Sequence, residues 1–91
     1  NILIEGICRW WYENGQLREE GNWKDGRKEG LCRWWYENGQ LREEENWKDR
    51  GNGLCKKWHE NGQLRKELNY KDGKMISQKC WDEDGEEIEC E

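Results

Sequence analysis

The 91-residue chain has no alanine, valine, phenylalanine, threonine or proline, and only one histidine, one methionine and one serine. Compact two-layer cores draw on small aliphatic filler, so its absence predicts a thin structure with little interior. With His59 the only histidine and Ser77 the only hydroxyl residue besides tyrosines, a Ser/His or Cys/His catalytic set would need a convergence that a flat repeat rarely supplies. Net basic charge is missing too: 16 Lys+Arg stand against 21 Asp+Glu, a balance of −5 with the signs mixed along the chain. A nucleic-acid partner would leave a basic footprint, and an anionic membrane surface would not attract such a chain. No apolar run approaches membrane-spanning length, and no signal-peptide pattern is present. The chain starts at Asn1 rather than Met, the mark of a processed form or a piece of something longer.

Charged residues make up 41 % and apolar residues 32 %, with a mean hydropathy of −1.52, a balance that leans toward disorder. Eight Trp, three Tyr and eleven Gly pull the other way, because each aromatic side chain buries a large area. Helices are disfavoured by the Gly and Trp content and by turn pairs that recur too often for a helix to run.

The segment CRWWYENGQLREE occupies Cys8–Glu20 and again, letter for letter, Cys32–Glu44. Repetition of this kind marks chains that stack copies of one small unit, whereas an active site needs one arrangement of unlike groups. Asn14-Gly15, Asn38-Gly39, Asn61-Gly62 and Asp84-Gly85 recur at steps of 24, 23 and 23 residues. A second series, KDG at Lys24, KDR at Lys48 and KDG at Lys71, lies about halfway between. Asn-Gly and Asp-Gly are preferred centres of two-residue hairpin turns, in which both central residues need φ > 0. The reading is an all-β, single-layer antiparallel meander of tandem hairpins, elongated and twisted. Its divisions are 1–5 (the end of a preceding strand), repeats at 6–29, 30–52 and 53–75, and a divergent capping hairpin at 76–91.

With Asn38-Gly39 at a tip, Tyr36 is expected to face Leu41, Trp34 to face Glu43 and Cys32 to face Glu45. Alternation then gives one face, the better candidate for burial, columns of Cys8, Cys32 and Cys55, of Leu17, Leu41 and Leu64, and of Trp23, Trp47 and Tyr70. The opposite face carries Trp11, Trp35, Trp58 and Trp81 among charges. The third repeat departs from the pattern: Lys57 and His59 stand where Trp34 and Tyr36 stand, and its link KDRGNG is one residue shorter than KDGRKEG. A one-residue change flips every later side chain unless absorbed, so a bulge or altered turn is expected at Asp49–Gly53, with Gly51 supplying the unusual φ.

The YENGQL, GNWKDG and KEG segments make Gly6–Gly73 resemble the MORN-variant (membrane occupation and recognition nexus) repeats, with the last hairpin a looser match. The resemblance implies an elongated sheet of hairpins, no catalytic residues or cofactors, and protein-interaction roles. Bacterial proteins of this variant are commonly labelled antitoxins or immunity-type partners of toxins.

Of five cysteines, Cys8, Cys32 and Cys55 recur once per hairpin, two strands apart, or about 9–10 Å at ~4.8 Å per strand. That exceeds the roughly 7 Å Cα separation a disulfide tolerates, so they read as half-buried apolar filler. In the last hairpin, Ile88 in the place of Leu41 would face Asp82 and set Cys90 opposite Cys80, close enough to bridge. A Cys80–Cys90 disulfide would clamp the end of the array and place the protein in an extracellular or periplasmic setting; free thiols would place it in the cytoplasm. Metal is not expected: Cys55 and His59 share a face but stand about 13 Å apart, and Cys80 would hold the first ligand position of a calcium-like reading of DEDGEEIE.

What is left is surface. The Trp11/Trp35/Trp58/Trp81 row either shields the sheet by stacking on Arg and Lys or anchors a protein partner, since Trp and Arg are favoured interface anchors. Two alternatives accompany a protein-interaction scaffold: a secreted filament subunit assembled head to tail through open strand edges, and a glycan-binding surface.

Overall fold

The computed structural model describes residues 6–48 and 51–90. The expected preceding strand at 1–5, and residues 49 and 50 of the expected bulge, lie outside the described residues. Eight strands run in chain order: β1 (Gly6–Trp11), β2 (Leu17–Lys24), β3 (Arg27–Trp35), β4 (Leu41–Lys48), β5 (Asn52–Trp58), β6 (Leu64–Lys71), β7 (Lys74–Trp81) and β8 (Glu87–Ile88). Each pairs with the next, antiparallel, in one open sheet ordered β1 to β8. The molecule measures 47 × 38 × 15 Å. Two stacked sheets lie about 10 Å apart before their outer side chains are counted, so 15 Å is one sheet with side chains on both faces. The absence of small aliphatic filler is consistent with this: the described residues form no second layer to pack.

The two turn series fold differently. At Lys24-Asp25-Gly26-Arg27 both central residues are left-handed (Asp25 φ 53°, Gly26 φ 78°), and Asp72 and Gly73 repeat this at 54° and 80°. These are two-residue hairpins whose twist matches the strands they join. The Asn-Gly turns are one residue larger, which corrects the expected geometry. Tyr36 N donates to Gln40 O at 2.9 Å and Gly39 N to Tyr36 O at 3.0 Å, enclosing Glu37, Asn38 and Gly39. Of these only Gly39 is left-handed, at φ 89°. The extra residue is absorbed at Arg42: Trp34 pairs with Glu43, but Trp35, not Tyr36, pairs with Leu41. The same shift recurs at Trp10/Trp11 and Lys57/Trp58. Leu17, Leu41 and Leu64 therefore leave the cysteine face and sit opposite Trp11, Trp35 and Trp58.

The links between repeats show how each change of length is absorbed. Of the two expected ways to absorb the short link, no bulge forms, since β4 and β5 stay in one register from Glu43–Lys57 to Lys48–Asn52, and Gly51 supplies the left-handed φ as expected, at 79°. The longer first link has the tight turn, and its surplus emerges as a register shift between Gly21 and Trp23 with Gly30 at φ 77°. The third link drops its surplus between Asn69 and Tyr70. Turn size and bulge thus trade against each other, and β3, β5 and β7 all reach the same alignment.

Burial is confined to one row through Cys32, Cys55 and Leu68 and to Cys80 in the neighbouring row, where it pairs with Lys66. Among the described residues, the buried apolar side chains are Cys32, Cys55, Leu68 and Cys80. The loop after β4 is pinned from the side: Gly73 N donates to Gly51 O at 3.0 Å and Asp72 N to Asn52 Oδ1 at 2.9 Å. A Cβ on Gly51 would fall 2.3 Å from Gly73 N, so no side chain fits there.

Candidate interaction surfaces

Register puts Cys8, Gly21, Cys32, Glu45, Cys55 and Leu68 in one row across β1 to β6. Cys32 is 1 % and Cys55 4 % exposed, while Cys8, on the edge strand, is half-buried. Burial raises the Cys32 thiol above its ordinary value. Cys55 is pushed up to about 11, first by burial and then by the carboxylates of Glu45 and Glu43. Buried, neutral thiols of this kind are inert filler rather than nucleophiles. Glu45 has a structural partner, since Trp47 Nε1 donates to its Oε1 at 2.7 Å. One repeat earlier the same place holds Gly21, and Trp23 Nε1 is buried without a hydrogen-bond partner. The neighbouring row sets Trp34 between Glu19 and Glu43. Trp34 Nε1 donates to Glu19, and the Lys28 ammonium lies 4.6 Å from the Trp34 ring centre. Glu43 titrates higher than usual because it is half-buried, with Lys57 at 3.8 Å opposing that rise. Trp47 and Tyr70, two of the expected column, contact with ring centres 5.5 Å apart.

The opposite face is organised by sign and size. Cations at Arg9, Arg33 and Lys56 alternate across the strands with Glu20, Glu44 and Glu67. Arg9 Nε donates to Glu20 at 2.7 Å and Arg33 Nε to Glu44 at 2.9 Å. Such partly exposed pairs contribute about 0.2–1 kcal/mol each, enough to favour this alignment without holding the sheet alone. Beside the charges runs an apolar row in which Trp11, Trp35 and Trp58 alternate with Leu17, Leu41 and Leu64. Trp11, on the edge, is 57 % exposed, whereas Trp35, Trp58 and Trp81 are half-buried by their neighbours.

The Asn-Gly turns do more than reverse the chain. Asn14 Oδ1 accepts from Gln16 N within its own turn, while its Nδ2 donates forward to Glu37 O at 3.1 Å. Asn38 and Asn61 do the same toward Glu60 O and Glu83 O. Two residues earlier, Tyr12 Oη donates to Trp35 O at 2.5 Å and Tyr36 Oη to Trp58 O at 2.7 Å. His59 replaces tyrosine without losing this bond: its Nε2 lies 2.9 Å from Trp81 O, a carbonyl that only accepts, so Nε2 carries the proton. Each hairpin therefore holds the next by a tyrosine or histidine and an asparagine. Sequence reading credited these residues with turn formation and column filling only. The available signal was the fixed Tyr/His–x–Asn–Gly spacing.

In the fourth turn both donors are gone. Asp84 and Gly85 form the tip, and Asp82, in the tyrosine position, folds back so that its Oδ1 accepts from Asp84 N and Glu86 N at 3.0 Å each. Cys80 and Cys90 form a disulfide with Cα atoms 5.4 Å apart. The pairing beneath it differs from expectation, since Ile88 sits opposite Cys80 rather than Asp82. Cys90 reaches Cys80 from beyond the end of β8, which pairs through only two residues.

One open sheet of near-identical hairpins, each bonded to the next from its turn, defines a hairpin-repeat array with two solvent-facing surfaces. The MORN repeat variant family matches residues 4–25, 28–49 and 52–72, more than half of the chain, and the chain belongs to that family. Its repeats are non-catalytic modules that serve generally in interactions. No curated protein and no solved structure matches the chain.

Proposed function

We propose that this chain is a non-enzymatic scaffold whose tryptophan face binds a protein partner, in the manner of an antitoxin bound to its toxin. The observation that carries the reading is the row of Trp11, Trp35 and Trp58, flanked by alternating charges, on a sheet face that no second layer covers among the described residues. Tryptophan supplies hot-spot area, and a charged border supplies orientation and rate of encounter. The Cys80–Cys90 bond supports a setting outside the reducing cytosol, extracellular or periplasmic.

Calorimetric titration against the protein encoded beside this chain tests the reading. Binding weakened at least tenfold by Trp35→Ala and Trp58→Ala, with circular dichroism unchanged, is the expected result. Affinity indifferent to both substitutions would remove the tryptophan face from the account. Glycan binding lost with the same substitutions would replace a protein partner with a polysaccharide.

A further inference from the structure

Three turns set an asparagine amide beside a glycine nitrogen, in contact with water. Asn14, Asn38 and Asn61 are exposed, and so are Gly15, Gly39 and Gly62 after them. Asparagine followed by glycine is prone to cyclise, because a neighbour without Cβ leaves its nitrogen open to the side-chain carbonyl carbon. Each turn both favours and restrains that reaction. Gln16 N, Gln40 N and Gln63 N donate to the asparagine Oδ1 at 2.9 Å, where negative charge gathers as a nitrogen adds to Cγ. Two contacts oppose it. The glycine N–H is committed to Tyr12 O, Tyr36 O or His59 O at 3.0 Å. The Nδ2 that must leave is held across the junction, by Glu37 O at 3.1 Å, Glu60 O at 3.4 Å and Glu83 O at 2.8 Å. The glycine bond belongs to one hairpin alone, whereas the amide bond exists only while the next hairpin is in place.

We propose that Asn14, Asn38 and Asn61 are sites of self-modification, each converted to aspartate or isoaspartate when the junction ahead of it opens. The glycine nitrogen adds to Cγ and gives up its proton, the Cγ–Nδ2 bond breaks, and ammonia departs to leave a succinimide ring. Water then opens the ring at either carbonyl, so the net change is amide and water to carboxylate and ammonium, with no other reactant. The product does not restore the junction. A carboxylate has no hydrogen to donate to the carbonyl ahead of it. Isoaspartate, in addition, lengthens the backbone of a turn that Tyr36 N and Gln40 O close around three residues. Repeats are thereby uncoupled one junction at a time, on the turn edge of the sheet and independently of the partner-binding face proposed above. Asn52-Gly53 offers a comparison within the chain, because Gly53 is paired with Trp47 and Tyr70 inside the sheet rather than placed in a turn.

The test ages the full chain at mildly alkaline pH and reads conversion by mass spectrometry. Cleavage after lysine puts Asn14, Asn38, Asn52 and Asn61 in different peptides, whereas trypsin releases the same WWYENGQLR from Trp10–Arg18 and Trp34–Arg42. Asn14, Asn38 and Asn61 should convert about tenfold more slowly in the folded chain than in guanidinium chloride. His59→Phe removes the companion bond to Trp81 O; it should speed Asn61 about fivefold and leave Asn14, Asn38 and Asn52 at the parent rate. Asn61→Asp, the product itself, should lower Tm by about 5 °C. Equal rates folded and unfolded, an acceleration by His59→Phe that is absent or shared by all four sites, or an Asn61→Asp protein that melts with the parent would overturn the proposal.

Discussion

Gly21 and Glu45 occupy the same place in successive repeats, and the difference between them can be measured. Glu45 accepts from Trp47 Nε1 at 2.7 Å, whereas Trp23 Nε1 is buried with no acceptor. A buried donor without a partner costs about 1–3 kcal/mol. A Cβ built on Gly21 would stand 3.3 Å from Trp23 Nε1 and 3.5 Å from Cys32 Sγ, so the indole must yield by a few tenths of an ångström, and Gly21 is not left-handed. Gly21→Glu should therefore stabilise the protein by about 1 kcal/mol beyond Gly21→Ala, after allowing for the nearby Glu19 carboxylate. Gly21→Ala isolates the backbone share, roughly 0.5–1 kcal/mol for replacing a strand glycine. In thermal denaturation the glutamate variant should melt about 5 °C above the alanine variant. Gly21→Gln, an acceptor without charge, should fall at or above the alanine variant. If neither the glutamate nor the glutamine variant exceeds Gly21→Ala, the orphaned indole is not a source of instability and the comparison between repeats fails.

Reducing Cys80–Cys90, which closes a separation of 10 residues, should release about 3 kcal/mol of constraint locally. Hydrogen exchange should quicken in Glu86–Cys90 and stay slow in β3–β6, and unchanged exchange at Glu86–Cys90 would show that the bond does not hold β8. Alkylation of the native protein should modify Cys8 well before Cys32 or Cys55, and mass spectrometry of timed samples reads the order. Because burial raises the folded-state pKa of Cys55 to about 11, its contribution is fully present below the unfolded thiol value and lost as pH climbs through the folded one. Cys55→Ser should flatten the stability decline in that alkaline window, as read by denaturant titration. Tyr36→Phe should cost about 1 kcal/mol through the bond to Trp58 O, and His59→Phe a similar amount through Trp81 O; His59→Gln should restore part of it if the imidazole acts as a donor.

The local grammar of the chain was legible from its residues. Asn-Gly and Asp-Gly punctuation at fixed steps, with tryptophan-rich stretches between, specifies hairpins because left-handed φ is inexpensive at few residue types and the preference acts within four residues. The repeat and the missing aliphatic filler led to a single open sheet, and the approach of Cys80 to Cys90 followed from the final hairpin. Sequence could not say which turns take two residues and which take three. Both sizes accept the same dipeptide, and pairing of the whole strand decides between them, as Arg42 shows by absorbing the surplus. That choice moved Leu17, Leu41 and Leu64 to the tryptophan face. Tertiary structure alone decided that the short link before β5 is regular and the longer one before β3 is bulged, since each strand must align with its neighbour however many residues precede it. It alone revealed that Tyr12, Tyr36 and His59 bond the next repeat, because the accepting carbonyls lie more than twenty residues away and come within reach only once the sheet is built.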